Sequence, residues 1–296
     1  MKNTIFTGAG VAIITPMNAD GSVNYELLGK NVDYQIDNGT DAIVVCATTG
    51  ESPTLTDEEH IKCIRTAVEH AKKRVPVIAG TGSNHTDYAI YLSKEAESLG
   101  VDGILLVTPY YNKTSQRGLV AHFTAIANSV KVPIILYNIP GRTGINISID
   151  TYKELAKVPN IVATKEASGD LSLIAKIFAA CGDNLDVYSG NDDQIVPIMS
   201  LGGKGVISVI SNILPAETHL MTKYCLENNF AEAAKIQLKY LEFINNLFID
   251  VNPIPIKEAM NILGQNVGEC RLPLIRMEQA KIDILANSMK KIGLTK

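Results

Sequence analysis

One lysine occupies a position suited to carbonyl chemistry. Lys165 ends an apolar segment in which Ile161, Ala163 and Lys165 share one face if the segment is a β-strand. An ammonium group buried there must be paired, for example with Glu166, or be held neutral. A neutral lysine amine is a nucleophile that forms Schiff bases with carbonyl compounds. Both interpretations remain open, although Glu166 belongs to the opposite face.

Other polar residues at or after the ends of apolar segments could assist such a lysine. Tyr137 could relay protons at a carbonyl centre, or it could be a core tyrosine with one satisfied hydroxyl. Arg142 follows a Pro-Gly turn and suits bidentate capture of a carboxylate, but a solvated loop arginine fits the pattern equally. Thr48 and Thr49 offer two hydroxyls and two backbone N–H groups, which could hold a carboxylate or cap the next helix.

Recognised metal and cofactor patterns are missing from the sequence. The Gly80–Gly82 segment lacks the full glycine spacing of a dinucleotide or phosphate-binding loop. The five histidines are scattered without a His-Glu-x-x-His motif, and the five cysteines form no Cys-x-x-Cys pair. We therefore expect no metal, no organic cofactor and no disulfide framework.

Alternating elements indicate how these residues are positioned. Eight short apolar segments rich in Val and Ile alternate with amphipathic stretches such as 57–73, 86–99 and 115–129, which predicts right-handed βαβ units closed into an α/β (β/α)8 TIM barrel. The predicted strands are 10–15, 42–47, 75–79, 103–108, 132–138, 161–165, 186–189 and 205–210. In such a barrel the catalytic residues lie at the C-terminal ends of the strands.

The last part of the chain has a different pattern. From Pro215 onward it is predicted to be helical throughout, with breaks at Asn228-Asn229, Asn252-Pro253 and Gly264. We therefore predict a catalytic barrel over residues 1–214 and a C-terminal helical extension over residues 215–296, which could be a packing or assembly surface.

Composition excludes several classes of partner. The 296 residues carry a net charge of −4 with no basic run, so we expect no nucleic-acid partner. No apolar run approaches the roughly 20 residues of a membrane span. The N-terminal apolar stretch contains Gly8, Gly10 and Pro16 and is typical of a first strand rather than a signal peptide. A cytoplasmic protein with no membrane partner is the expectation.

The polar segments together resemble those of the dihydrodipicolinate synthase family, within the N-acetylneuraminate lyase superfamily, over the whole chain. The shared superfamily segments are TTGE at 48–51, YNIP at 137–140 and the lysine of TKEASGD at 164–170. More specific to the family are TPYYN at 108–112 and YNIPGRTG at 137–144, in which Arg142 distinguishes the synthases from the sugar-acid lyases.

The resemblance implies a class I aldolase-type reaction that joins pyruvate to L-aspartate 4-semialdehyde and yields 4-hydroxy-tetrahydrodipicolinate for lysine and diaminopimelate synthesis. Lys165 would form the imine with pyruvate, so no cofactor would be needed. Thr48 and Thr49 would bind the pyruvate carboxylate. Tyr137, Thr49 and Tyr111 would form a proton relay.

The resemblance also implies how the second substrate binds and how the chain assembles. Arg142 would hold the carboxylate of the semialdehyde, and the backbone carbonyls of Gly190 and Ile207 would line the same pocket. Tyr111 would reach into the neighbouring subunit of a homotetramer that is a dimer of dimers.

Some family members bind lysine as a feedback inhibitor at the tight dimer interface. The matching positions here are Ser52, Leu55, Asp57, His60, Asn84, Tyr88 and Tyr110. Inhibitor-sensitive members carry a histidine in place of Asp57 and a glutamate in place of Tyr88. Since Tyr88 brings no negative charge for the ammonium of lysine, weak or absent inhibition is predicted.

Two alternatives to the synthase remain. A sister pyruvate-dependent aldolase or lyase would act on a keto-sugar acid, but a polyhydroxy aldehyde has no carboxylate for Arg142 to bind. A barrel that has lost catalysis and only binds metabolites would be expected to lack Lys165, Tyr137 or the threonine pair, and all of them are present.

Overall fold

Eight parallel strands form a closed barrel in the computed structural model, which describes residues 2–296. Each strand pairs with the next along the chain, and the last pairs with the first. The strands are β1 (Gly8–Ala12), β2 (Ala42–Val45), β3 (Val77–Gly80), β4 (Gly103–Val107), β5 (Ile134–Asn138), β6 (Ile161–Glu166), β7 (Asp186–Ser189) and β8 (Gly205–Ser208). The predicted (β/α)8 barrel is therefore confirmed.

Both faces of these strands are covered, which explains their continuous apolar sequences. Val44, Leu105 and Ile135 pack inside the barrel, whereas the adjacent residues Ile43 and Ile104 pack outward in the main core cluster. The period-2 alternation of side chains thus fills two separate cores from one strand.

Helices follow the strands in regular order. They are α1 (Tyr25–Asp37), α2 (Asp57–Ala71), α3 (Thr86–Ser98), α4 (Gln116–Ala127), α5 (Pro140–Thr143), α6 (Ile149–Leu155), α7 (Leu171–Cys181), α8 (Ile195–Ser200), α9 (Pro215–Leu226), α10 (Phe230–Asn246), α11 (Ile254–Ile262) and α12 (Gln279–Lys291). Local capping sets several boundaries. Thr56 and Glu59 form a capping box at the start of α2, and Ser115 caps α4.

Four predicted strands, the first, second, fourth and last, extend further along the sequence than the observed ones. The first strand, predicted over 10–15, lies at Gly8–Ala12, because the N–H of Ile14 leaves the ladder and donates to Asn212 Oδ1 at 3.1 Å. The last, predicted over 205–210, ends at Ser208, because the N–H groups of Val209 and Ile210 donate instead to the carboxylate of Asp192.

The C-terminal helices share a core with the mouth of the barrel. Helix α9 packs against β1 and α8, as the outer helix of the eighth unit. Helix α12 packs against both α10 and α11, and Phe243 and Ile256 join one apolar cluster with Ile14 and Ile210. The division at residues 214 and 215 remains a prediction.

None of the helices among residues 2–296 combines the length and hydropathy that a membrane span requires.

Candidate active site

Lys165 lies at the C-terminal end of β6 and is only 4% exposed. It pairs in register with Tyr137 of β5 and with Tyr188 of β7. Its Nζ atom lies 4.3 Å from the centroid of the Tyr137 ring. Gly190 passes close to the same side chain, since a Cβ at that position would be 3.1 Å from Lys165 Cε. The barrel thus holds the Lys165 amine against the face of the Tyr137 ring. The absence of a side chain at Gly190 leaves room for the lysine.

Glu166 does not pair with that lysine. Its carboxylate accepts hydrogen bonds from Asn138, Ser168 and Tyr152 on the outer side of the strand, and burial raises the pKa of this carboxyl. Among residues 2–296, no carboxylate lies within ion-pair distance of Lys165. The alternative in which Glu166 neutralises Lys165 is therefore wrong, and the buried amine is not committed to an ion pair.

The two threonines lie in a tight turn directly after β2. The N–H of Gly50 donates to Ala47 O and that of Glu51 donates to Thr48 O, both at 3.1 Å. Glu51 adopts a left-handed conformation with φ +55°. Neither threonine caps the following helix, because Thr56 caps α2, so the capping alternative is wrong. Thr48 lines the cleft at the barrel mouth, whereas Thr49 is buried and its hydroxyl accepts a hydrogen bond from Asn252.

Arg142 lies in the short helix α5 and reaches toward the C-terminal extension. Its Nη2 donates to the backbone carbonyl of Asn252 at 3.0 Å. Arg142, Asn252 and Thr48 line one cleft of about 430 Å³. A small cavity of about 30 Å³, lined by Thr48 and Tyr137, lies in the barrel mouth. Since Arg142 is hydrogen bonded at the cleft wall, it is a positioned cation rather than a freely solvated one.

Tyr111 and Ile207 occupy contrasting positions. Ile207 is buried in the barrel interior, in the apolar cluster that contains Tyr137. Tyr111 is 92% exposed and has φ +68°, so its ring projects from the surface of its own chain. The chain therefore brings together Lys165, Tyr137 and Gly190, but it does not bring Tyr111 to them.

The candidate effector residues lie around the same cleft. Ser52, His60 and Tyr110 line it. Asn84 lines a different cleft and donates to the carbonyl of Tyr110 at 3.1 Å. Burial lowers the pKa of His60, whose Nε2 lies 2.8 Å from the carbonyl of Gly80. These residues form a mostly neutral wall.

Asp57 brings a carboxylate to this region but is already occupied. The hydroxyl of Tyr88 donates to Asp57 Oδ1 at 2.6 Å. Burial is the main cause that raises the pKa of Tyr88, and this hydrogen bond raises it further. The phenol therefore stays protonated, and one of the two carboxylate oxygens of Asp57 is already engaged by it.

Three residues near the site escaped the sequence interpretation. Asn252, predicted only as part of a helix break, donates through Nδ2 to Thr49 Oγ1 at 3.0 Å. Lys257 of α11 forms a buried ion pair with Glu51 at 2.8 Å. Neither Asn252 nor Lys257 belongs to a motif that the sequence analysis used. Their contact residue Glu51 does, because it ends the TTGE segment.

Asp192 follows β7 and is the third residue that was missed. Its Oδ2 accepts from the N–H groups of Val209 and Ile210, at 3.0 and 2.9 Å. Burial raises its pKa, and the positive charge of Lys165 acts in the opposite direction. Asp192 therefore fixes the loop after β8 close to the reactive lysine.

Across residues 2–296, no cluster of three or more His, Cys, Asp or Glu side chains has a geometry suited to a metal ion. The chemistry available at the site is that of an amine, a phenol, hydroxyls and a guanidinium. Such a set can activate a small keto acid and hold carboxylates.

Comparison with known proteins places this site in a family. The model of the dihydrodipicolinate synthetase family matches residues 5–292. The chain is 58% identical over 291 residues to the 4-hydroxy-tetrahydrodipicolinate synthase of Lachnoclostridium phytofermentans, covering 98% of this chain and 99% of that protein. The solved dihydrodipicolinate synthase from Aquifex aeolicus is 46% identical with a TM-score of 0.95, covering 98% and 99% of the two chains. The enzyme from Cyanidioschyzon merolae with lysine bound is 42% identical with a TM-score of 0.96, covering 99% and 100%.

Proposed function

The chain belongs to the dihydrodipicolinate synthetase family, and we propose that it condenses pyruvate with L-aspartate 4-semialdehyde through an imine on Lys165. The resemblance predicted from the motifs is confirmed, and the activity is that of a lyase, 4-hydroxy-tetrahydrodipicolinate synthesis. The observation that carries the role of Lys165 is its placement: a buried amine that has no ion-pair partner among residues 2–296 and lies 4.3 Å from the ring centroid of Tyr137.

The reaction begins at the lysine amine. Nζ attacks the carbonyl carbon of pyruvate, the carbonyl oxygen leaves as water, and a C=N bond forms. The imine withdraws electrons from the methyl group, so that loss of one methyl proton gives an enamine. The enamine carbon attacks the aldehyde carbon of the semialdehyde. The amine of that substrate then displaces Nζ, closes the ring and frees Lys165. The covalent imine supplies the electron sink, so the proposal includes no cofactor.

The remaining residues have supporting roles in this scheme. Thr48 and Thr49 bind the pyruvate carboxylate from the turn after β2. Tyr137 and Thr49 pass protons at the reacting centre, together with Tyr111 of a neighbouring subunit. The exposed ring and left-handed backbone of Tyr111 support that arrangement, because such a ring is free to enter another subunit. A homotetramer built as a dimer of dimers is part of the same proposal.

Borohydride trapping tests the imine. The protein is reduced with borohydride in the presence of pyruvate, digested, and the peptides are mapped by mass spectrometry. We expect a pyruvate adduct on Lys165 and none on Lys257, which is equally buried but paired with Glu51. Lys257 is therefore an internal control for nonspecific labelling. A natively folded protein without an adduct on Lys165 would remove the aldolase proposal.

Arg142 separates this reaction from the alternative on a keto-sugar acid. Arg142→Lys keeps the positive charge but loses the planar fork that grips a carboxylate at two points. We expect the KM for the semialdehyde to rise about tenfold or more, while the KM for pyruvate stays the same. Turnover of a polyhydroxy aldehyde at a rate comparable to that of the semialdehyde would favour the alternative.

A further inference from the structure

The segment between α10 and α11 places one side chain against the proposed catalytic residues. Asn252 is 5% exposed and contacts two of them by different groups. Its side-chain Nδ2 donates to Thr49 Oγ1 at 3.0 Å, and its backbone carbonyl accepts from Arg142 at 3.0 Å. Its Oδ1 is buried and has no hydrogen-bond partner among residues 2–296.

The side chain of Asn252 is not needed to anchor the segment. Lys257 already ties α11 to Glu51, Thr15 and Glu269, and the carbonyl of Asn252 takes part in the Arg142 bond. An amide that makes one bond and leaves a buried acceptor unsatisfied lowers stability. A leucine or another apolar residue would fill the same volume without that loss. The amide therefore calls for an explanation other than packing.

The direction of the hydrogen bond to Thr49 explains why residue 252 carries an amide. A threonine hydroxyl has one hydrogen and can accept through its lone pairs. Because Asn252 Nδ2–H occupies the acceptor side of Thr49 Oγ1, the hydroxyl hydrogen is left to donate elsewhere. An N–H donor at this position forbids the reverse arrangement, in which Thr49 donates toward the extension. The hydroxyl is thus kept from donating toward the extension before substrate arrives.

We propose that Asn252 is a positioning residue that fixes the Thr49 hydroxyl as a donor toward the bound pyruvate, so that the C-terminal extension sets the direction of proton transfer. This inference rests on the proposed function. The proton concerned leaves the pyruvate methyl group when the imine becomes the enamine, and its electron pair enters the new C=C bond. In D2O a deuteron returns to the same carbon.

Two substitutions distinguish the effect of the direction of the Asn252–Thr49 hydrogen bond from the effect of the contact alone. Asn252→Asp keeps the shape of the side chain but, in its ionised form, offers only acceptor oxygens, so Thr49 donates to it and its hydrogen turns away from the substrate. Asn252→Ala removes the bond and leaves the hydroxyl free to rotate. We expect exchange of the pyruvate methyl hydrogens with D2O, followed by proton NMR, to slow about tenfold or more in Asn252→Asp and less in Asn252→Ala.

Other measurements show that the loss lies in proton transfer. Because Arg142 binds the backbone carbonyl of residue 252, the KM for the semialdehyde stays unchanged in Asn252→Ala. The borohydride adduct on Lys165 still forms. Combined with Thr49→Val, Asn252→Asp causes no further loss, since the hydroxyl on which it acts is gone.

Asn261 provides a matched control in the same extension. Its side chain also joins backbone groups, Gly268 and Val267, but it lies away from the Arg142 cleft. We expect Asn261→Asp to lower the melting temperature but not to slow exchange of the pyruvate methyl hydrogens relative to imine formation.

The outcomes are distinguishable. A wild-type protein that forms no adduct on Lys165 would overturn the proposed function and with it this inference. A wild-type protein that traps pyruvate, with an Asn252→Asp variant that exchanges at the wild-type rate, would overturn the inference alone. Equal slowing in Asn252→Asp and Asn261→Asp, or an undiminished effect of Asn252→Asp in the Thr49→Val background, would also overturn it.

Discussion

Replacing Lys257 with methionine provides the sharpest test of how the extension is attached to the barrel. The ammonium and the Glu51 carboxylate are 2% and 1% exposed, and their atoms are 2.8 Å apart. Lys257 also donates to the carbonyls of Thr15 and Glu269. The other carboxylate oxygen of Glu51 accepts from the N–H of Arg271 at 2.9 Å.

The magnitude follows from what the substitution leaves behind. Methionine fills the volume of the lysine stem but leaves the Glu51 carboxylate buried with one backbone donor. It also removes the donor from two carbonyls. Breaking a buried ion pair from one side costs about 3–5 kcal/mol. Glu51→Gln combined with Lys257→Met removes both charges, so the double variant should recover part of that loss.

Denaturant unfolding measures the free energy of unfolding for each variant, and the exposed pair Lys291–Glu242 supplies the control. That pair has a similar separation, 2.6 Å, but its side chains are 63% and 56% exposed. Lys291→Met should cost no more than about 1 kcal/mol. If Lys257→Met lowered the free energy of unfolding by no more than Lys291→Met does, the buried pair would not fasten the extension and the reasoning would fail.

Three further predictions concern catalysis, regulation and pH. Tyr137→Phe should lower kcat about 10²–10⁴-fold while pyruvate is still trapped on Lys165, and an unchanged kcat in steady-state assays would exclude a role in proton transfer. A titration with lysine should leave activity almost unchanged, because Asp57 already accepts the Tyr88 hydroxyl; half-inhibition at sub-millimolar lysine would contradict this. Burial lowers the pKa of His122 to about 4 from 6.5. The unfolded chain therefore binds its proton first as the pH falls, and stability should drop by at most about 2 kcal/mol between about pH 7 and pH 5. Unfolding curves of His122→Gln should lack that part of the drop, and an equal drop in the variant would assign it to other groups.

Much of the fold could be predicted because its signals are local. Continuous apolar segments indicated strands covered on both faces, and their alternation with amphipathic stretches indicated the closed parallel barrel. The period-2 rule was enough to place Lys165 and Glu166 on opposite faces of β6. Strand ends were less certain, because Ile14 and Ile210 are apolar and yet bond outside the ladder, to Asn212 and Asp192.

The candidate site likewise contains residues that the sequence indicated and one that only the tertiary structure revealed. The types and positions of Lys165, Tyr137 and Arg142 were evident from the sequence, since each lies at or just after the end of a strand, and these ends had to lie at the barrel mouth. The role of Asn252 was not, because the residue is 203 positions away from Thr49 and its only local signal was a break between helices. Which polar group of the extension meets which threonine depends on how α10 and α11 pack over the barrel. Residue type and spacing determine local structure and available chemistry, whereas the partner and direction of a hydrogen bond are decided only when distant segments pack together.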